Sequence, residues 1–225
     1  MVWGQRGLAP AGSDIDVCFS YSTNQGETFS TAVRVNNDEL NNGKNQFLPW
    51  IAVDRLKTYV AVVFYDNRDT YKADSCDVFA AISAVGTTTF VNIKVSDRAH
   101  KPRALSGYSD GYYSDYIGVA ANNNVIFPVW TDNRNGTAQI YTAKVELKPN
   151  ISHKPLKDTE DTTGHYQVSA NIYTFGAGLG SARIIYGNGT HTDSMNMTNT
   201  GGDSLLYFVL LLHYRVEQFV VCSLT

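Results

Sequence analysis

Two arginines carry the clearest chemical signal in the chain. Arg68 and Arg134 each close an Asp-Asn-Arg triplet, and the leading aspartates, Asp66 and Asp132, stand 66 residues apart. A guanidinium at a strand end offers a planar fork of donors to a carboxylate or phosphate. Both arginines, with Asp66 and Asp132, are therefore candidate ligand contacts. In the competing reading each aspartate orients its arginine and closes the turn through side-chain-to-backbone bonds. We weight this structural role above the ligand role. A second signal is the run Tyr108-Ser-Asp-Gly-Tyr-Tyr-Ser-Asp-Tyr116. Tyrosine joins a flat apolar face to a hydroxyl, which makes Tyr113 and its neighbour Asp115 candidates for sugar or peptide contacts. The bland reading is a packed loop leading into the next strand. Asp110 and Asp115 are also oxygen ligands of the kind calcium takes, but no Asp-x-Asp-x-Asp-Gly loop is present. No cofactor is expected, calcium being the one metal these residues suggest. The five histidines show no metal-binding spacing, and neither a Gly-x-Ser-x-Gly elbow nor a phosphate-binding glycine loop occurs.

The elements that must position these residues repeat. Ile51-Ala-Val-Asp54 and Val60 to Arg68 align with Ile117-Gly-Val-Ala120 and Val125 to Arg134, and a matching run follows each, Asp77 to Ala81 and Gln139 to Ala143. A worn third copy opens the chain, with Val2-Trp3-Gly4-Gln5-Arg6-Gly7 against Val129 to Gly136 and Arg6 standing for Arg134. The chain is thus expected to begin inside a unit. Short β-branched and aromatic runs bounded by Gly, Asn or Asp mark antiparallel strands. A four-stranded unit of roughly 40 to 70 residues is blade-sized. The expected fold is all-β, with an incomplete β-propeller of about two to three blades over residues 1–147. Lys148 to Gly164 is polar, contains two prolines and reads as a linker. Residues 165–225 then read as part of an immunoglobulin- or fibronectin-like β-sandwich, with strands at Tyr166 to Tyr173, Ser181 to Tyr186 and Asp193 to Thr198. Leu205 to Leu212 is too short to span a bilayer and reads as a buried strand. The segment 205–225 departs from the pattern of such a sandwich, so its end is doubtful.

A family resemblance rests on these repeats. Ser22-Thr-Asn24-Gln-Gly26-Glu-Thr28-Phe29 resembles the Asp-box, Ser-x-Asp-x-Gly-x-Thr-Trp, of the bacterial neuraminidase repeat in sialidase-like propellers, with Asn24 in place of Asp and Phe29 in place of Trp. Asn45 to Pro49, Tyr113 to Gly118 and Trp130 to Gly136 are similar to segments common in secreted bacterial propellers of that superfamily. In the box, Ser22 and Asn24 are expected to hold a turn, Gly26 to take positive φ and Phe29 to pack between sheets. Ser83 to Phe90 keeps only Ser83, Thr89 and Phe90 of the pattern. The resemblance implies a secreted or cell-surface fragment that binds a glycan or a protein. Sialidase chemistry needs three arginines on the substrate carboxylate, a tyrosine nucleophile activated by Glu, and an acid. The Phe-Arg-Ile-Pro motif that supplies the first arginine is absent, so the catalytic residues are unknown and the set is incomplete. The alternative is a fragment of a glycoside hydrolase of the exo-sialidase type, with its catalytic blades upstream.

Charge and cysteine content narrow the classes further. Eighteen Lys and Arg against 21 Asp and Glu give a net charge of −3, which offers no general pull toward nucleic acid. Cys18, Cys76 and Cys222 are too few and too far apart for a disulfide framework or a zinc site, although one bridge is compatible with them. The first residues lack the basic start and apolar run of an export signal, so an exported protein would carry that signal outside this chain. Blades that do not close a ring leave strand edges open, and self-association is expected through them.

Overall fold

The computed structural model describes residues 1–8, 12–71, 74–103, 116–148, 150–153, 165–173, 179–187, 192–199, 205–211 and 217–224. The described elements are all strands, paired antiparallel, and they fall into two compact units, Met1–Leu147 and Lys148–Thr225.

Among the described residues the first unit holds three sheets. One contains β1 (Val2–Arg6), β2 (Ile15–Phe19) and β3 (Val33–Arg34). The second runs β4 (Gln46–Val53), β5 (Tyr59–Asp66), β6 (Asp77–Ala84) and β7 (Val91–Lys94) in sequence order. In the third, β9 (Val125–Asp132) pairs on one side with β8 (Gly118–Asn122) and on the other with β10 (Gln139–Thr142) and β11 (Val145–Glu146). β10 and β11 follow one register along β9, and the break between them falls opposite Pro128 and Phe127. Proline has no N–H to give the ladder, and the Thr142 hydroxyl instead bonds the Pro128 carbonyl at 2.8 Å.

The sheets stack face to face, with the β4–β7 sheet in the middle. Successive side chains of a strand point to opposite faces, and β5 is buried along its whole length because both of its faces are covered. Val60, Val62 and Phe64 pack with Val17, Phe19 and Val35 of the first sheet. Val63 and Tyr65 point the other way, toward Ile117 and Trp130 of the third. The phenols of Tyr59 and Tyr65 donate across this second junction, to the carbonyls of Val125 at 3.1 Å and Thr131 at 3.0 Å.

Register makes the repeat explicit. Asp66 pairs with Asp77, Asp132 with Gln139, and Gln5 with Asp16, one position per sheet. Next to it the Val17 N–H donates to Asn36 Oδ1 at 2.9 Å, and the Val78 N–H to Ser96 Oγ at 3.0 Å. Asp16 takes the Arg34 guanidinium and Asp77 the Lys94 ammonium, at 2.6 and 2.7 Å. Two details of the sequence alignment are corrected. Gln5 occupies the aspartate position, so Arg6 stands where Asn67 and Asn133 stand and not at Arg134. β8 is displaced by two residues, because Val119, not Ile117, matches Ile51. The β8–β9 turn is the two-residue Asn123-Asn124, both at positive φ, whereas a longer turn from Asp54 to Tyr59 joins β4 to β5.

The described residues of the second unit form two sheets. β12 (Asn150–His153), β13 (His165–Tyr173), β17 (Leu205–Leu211) and β16 (Thr198–Asn199) form one, in that order. β15 (Thr192–Asn196), β14 (Leu179–Gly187) and β18 (Glu217–Leu224) form the other. Alternate residues are buried in each, Ala170 and Ile172 on β13 and Ala182 and Ile184 on β14. The stretch expected as a linker contains β12, whose four residues pair with Ala170 to Tyr173. The segment 205–225, expected to fall outside the pattern, supplies β17 and β18 to the middle of one sheet and the edge of the other.

Candidate functional site

Each Asp-Asn-Arg triplet sits at the end of a central strand and folds onto itself in the same way. The Arg68 N–H donates to Asp66 Oδ1 at 2.8 Å and its Nε to Oδ2 at 2.7 Å. Arg134 repeats both bonds on Asp132 at 2.8 Å. The guanidinium then lies over an aromatic ring of the next strand, Arg68 above Phe79 at 4.5 Å and Arg134 above Tyr141 at 4.6 Å. It finally reaches the loop of the preceding sheet, Arg68 to Asn37 and Arg134 to Asp97. Aspartate, turn, ring and neighbouring sheet are thus joined by one planar fork. The first sheet has Gln5, Gly7 and Cys18 at the three equivalent places. Acid, arginine and ring are absent together from that sheet.

The arginines proposed for anion contact are therefore occupied within the chain. Asp66 also accepts from Gln46, which joins Asn36, Asp38 and Arg34 in a polar network between the first two sheets. Burial pushes the Asp66 carboxyl up despite Arg68. At Asp132 burial acts the same way, but the bonds from Arg134, the nearby His100 and the Trp130 indole together hold the carboxyl below its usual range.

His100 is a functional-type residue that spacing rules passed over. Its Nε2 lies 3.8 Å from Cys76 Sγ and its Nδ1 3.5 Å from Asp132 Oδ2. The order thiol, imidazole, carboxylate is that of an activated nucleophile. The environment opposes that chemistry: all three residues are buried, and burial, reinforced by Asp77, Asp132 and Asp66, pushes the Cys76 thiol up. A reactive cysteine needs the opposite shift. Tyr59 is excluded as a nucleophile on the same ground, since burial and Asp54 push its phenol up to about 12.

The surface beside this buried group is basic. Arg98, His100, Lys101, Arg103, Asn133 and Arg134 line a cleft of about 340 Å³. Within it Arg98 bonds the Asn135 side chain, and Lys101 pairs with Asp74. The run Arg98 to Arg103, with three Lys or Arg in six residues, was the available sequence signal. A second cleft of about 450 Å³ is mostly apolar and holds Trp50, Tyr116, Val129 and Ile140. Trp50 is brought there by a bulge at Leu48-Pro49, where Leu48 has φ of 51°.

No protein-family model matches the chain, and no curated protein matches it.

The box-like segment lies between β2 and β3 and forms a closed turn. Ser22 Oγ accepts from the Gly26 N–H at 2.9 Å, and Asn24 Oδ1 from the Thr28 N–H at 3.0 Å. Asn24 Nδ2 also donates to Thr28 Oγ1, and Gly26 has φ of 95°. Phe29 departs from expectation: it is 49% exposed and does not pack between sheets. Phe90, after the corresponding turn of the second sheet, meets Phe19 edge-on at 5.4 Å. Tyr113 and Asp115 lie outside the described residues. Among the described residues no group of three or more His, Cys, Asp or Glu is placed to hold a metal, and no helix is long and apolar enough to cross a membrane. Cys18 and Cys76 are free thiols.

His100 gives a pH dependence with a defined sign. Burial, aided by Arg134, holds its imidazole below the usual value and outweighs the pull of Asp132 and Asp77. Below about pH 6.5 the unfolded chain binds a proton that the folded chain resists, so stability falls as pH drops through that region. Asp66 works oppositely and at lower pH, where its raised carboxyl takes up a proton in the folded state. Urea melts at about pH 7.5 and about pH 5.5 should show the loss, and His100→Gln should shrink the difference between them. An unchanged difference in the variant would exclude His100 as the cause.

Proposed function

We propose that residues 1–147 are part of a sialidase-like propeller from a secreted or cell-surface protein, and that the chain binds a glycan or a surface protein without a complete catalytic set. Lys148–Thr225, with its two antiparallel sheets, is read as part of the appended β-sandwich. The observation that carries this reading is the threefold recurrence of one sheet module in matched register, together with an Asp-box-type turn between the second and third strands of the first sheet. Noncatalytic binding is favoured because Arg68 and Arg134 are held by their own aspartates and neighbours. The basic cleft lined by Arg98, Lys101 and Arg103 is the surface offered for an anionic ligand group.

Two assays on the 225-residue chain test it together. A glycan array should give binding that weakens with salt, and a fluorogenic sialoside should give no release above background. Turnover that a single carboxylate or arginine substitution abolishes would replace this reading with the glycoside hydrolase.

A further inference from the structure

We infer, resting on the glycan-binding reading above, that the basic cleft takes a sulfate ester carried by a sugar, held by Arg98, Lys101 and Arg103. The three sheets of the first unit meet at two junctions, and these align residue by residue. The Val17 N–H donates to Asn36 Oδ1 and the Val78 N–H to Ser96 Oγ, while their carbonyls accept from Val35 and Val95, both at 2.8 Å. Asn37 and Asp97 come next, and they receive the guanidinium groups of Arg68 and Arg134. The residue after that is Asp38 at the first junction and Arg98 at the second. An acid at one junction is thus a base at the other.

At the first junction the chain supplies its own anion. Asp38 Oδ1 accepts from Arg34 Nη2 at 2.9 Å and Asn36 Nδ2 at 2.8 Å, and Oδ2 from Asn42 Nδ2 at 2.8 Å and Gln46 Nε2 at 3.2 Å. Arg68 Nη2 lies 3.7 Å from the same carboxylate, whose side chain is 8% exposed. At the second junction that position is a cation open to solvent. Arg98 donates to Asn135 Oδ1 at 3.0 Å, and neither it nor Arg103 forms an ion pair among the described residues. Lys101 pairs with Asp74 where both are about half in solvent, a kind of pair that holds a side chain weakly. Arg134 is engaged by Asp132 and Asp97 and walls the cleft. Three cations from one short run can each meet one oxygen of a group with three terminal oxygens, and guanidinium forks match oxyanions of this kind. A sulfate ester has those three oxygens and a fixed charge; a carboxylate offers two. The cleft volume of about 340 Å³ is at the small end of ligand pockets, which suits one esterified sugar unit.

Fluorescence anisotropy of the full chain with labelled oligosaccharides of similar length reads the outcome. The probes are a sulfated glycosaminoglycan fragment, its desulfated form with the carboxylates kept, a phosphorylated glycan and a sialylated glycan. The sulfated fragment should bind at least about tenfold tighter than the others, the scale of hydrogen bonds to charged groups. Arg98→Asp, which puts the acid of the first junction into the second, should abolish that preference, and Arg103→Gln should reduce it. Arg55→Asp makes the same charge change in the exposed turn at the far end of β5 from Asp66 and should leave it unchanged. Equal binding of the sulfated and desulfated fragments overturns the inference, as does a loss in Arg55→Asp as large as that in Arg98→Asp. Tighter binding of the sialylated or the phosphorylated glycan overturns sulfate as the group. If Arg98→Asp does not fold, Arg103→Gln decides alone, and unchanged affinity there overturns the cleft as the site. Glycan-array binding that survives in Arg98→Asp removes the cleft and leaves the proposed function standing, whereas turnover of the sialoside removes that function whichever fragment binds.

Discussion

Asp132→Ala is expected to lower the stability of the Met1–Leu147 unit by about 3–5 kcal/mol, the usual cost of removing one partner from a buried ion pair. The carboxylate is fully buried and accepts from the Arg134 N–H, Nε and Nη2 and from the Trp130 indole. Alanine would leave the guanidinium, 7% exposed, with Asp97 as its remaining carboxylate, and would leave the indole donor without this acceptor. Urea unfolding followed by tryptophan fluorescence measures the loss, Trp130 being next to the deleted group. The size separates two accounts of the triplet. A surface ion pair contributes about 0–1 kcal/mol, so a loss within that range would remove the clamp from the account of how the sheets are joined. Asp132→Leu combined with Arg134→Met should recover most of the stability, because an apolar replacement of the whole pair leaves no buried charge uncompensated.

Contacts close in sequence were legible before the fold, and those closed by distant chain were not. Asp66 and Arg68 are two residues apart, so their bond is encoded in the triplet itself, and its recurrence at Asp132 marked the repeat. The turn from Ser22 to Thr28 was readable for the same reason. The two-residue shift of β8 was hidden because strand patterns have a period of two. A shift by an even number keeps the same side chains on the same face, and only turn length reveals it. His100 was invisible in another way: its partners come from Cys76, 24 residues earlier, and from Asp132 of the next sheet. The segment from Lys148 to Gly164 read as a linker because strand pairing draws on backbone groups, which polar composition does not remove. β12 finds its partner in β13 without any alternating apolar pattern of its own. Leu205 to Leu211 shows the reverse, an apolar run that fixed a strand correctly but said nothing of the neighbours β13 and β16.

A pair of phenylalanine truncations tests which aromatic holds the sheets together. Phe64→Ala should cost about 3–5 kcal/mol and Phe29→Ala less than about 0.5 kcal/mol. Sequence pattern points to Phe29, the residue that closes the box-like segment and stands where the motif has tryptophan. Packing points to Phe64, fully buried on β5 and stacked on Phe79 at 6.4 Å between ring centres with 18° between planes. Phe79 in turn lies under the Arg68 guanidinium, so the deletion opens a void beneath the clamp as well as between the first two sheets. The places equivalent to Phe64 hold Trp3 and Trp130, so a large ring at this position belongs to the module. Phe29, half in solvent, has little surface to return to water. Thermal melts of both variants decide between them. Equal losses, or a larger loss at Phe29, would mean that the turn and not the central strand carries the packing between sheets.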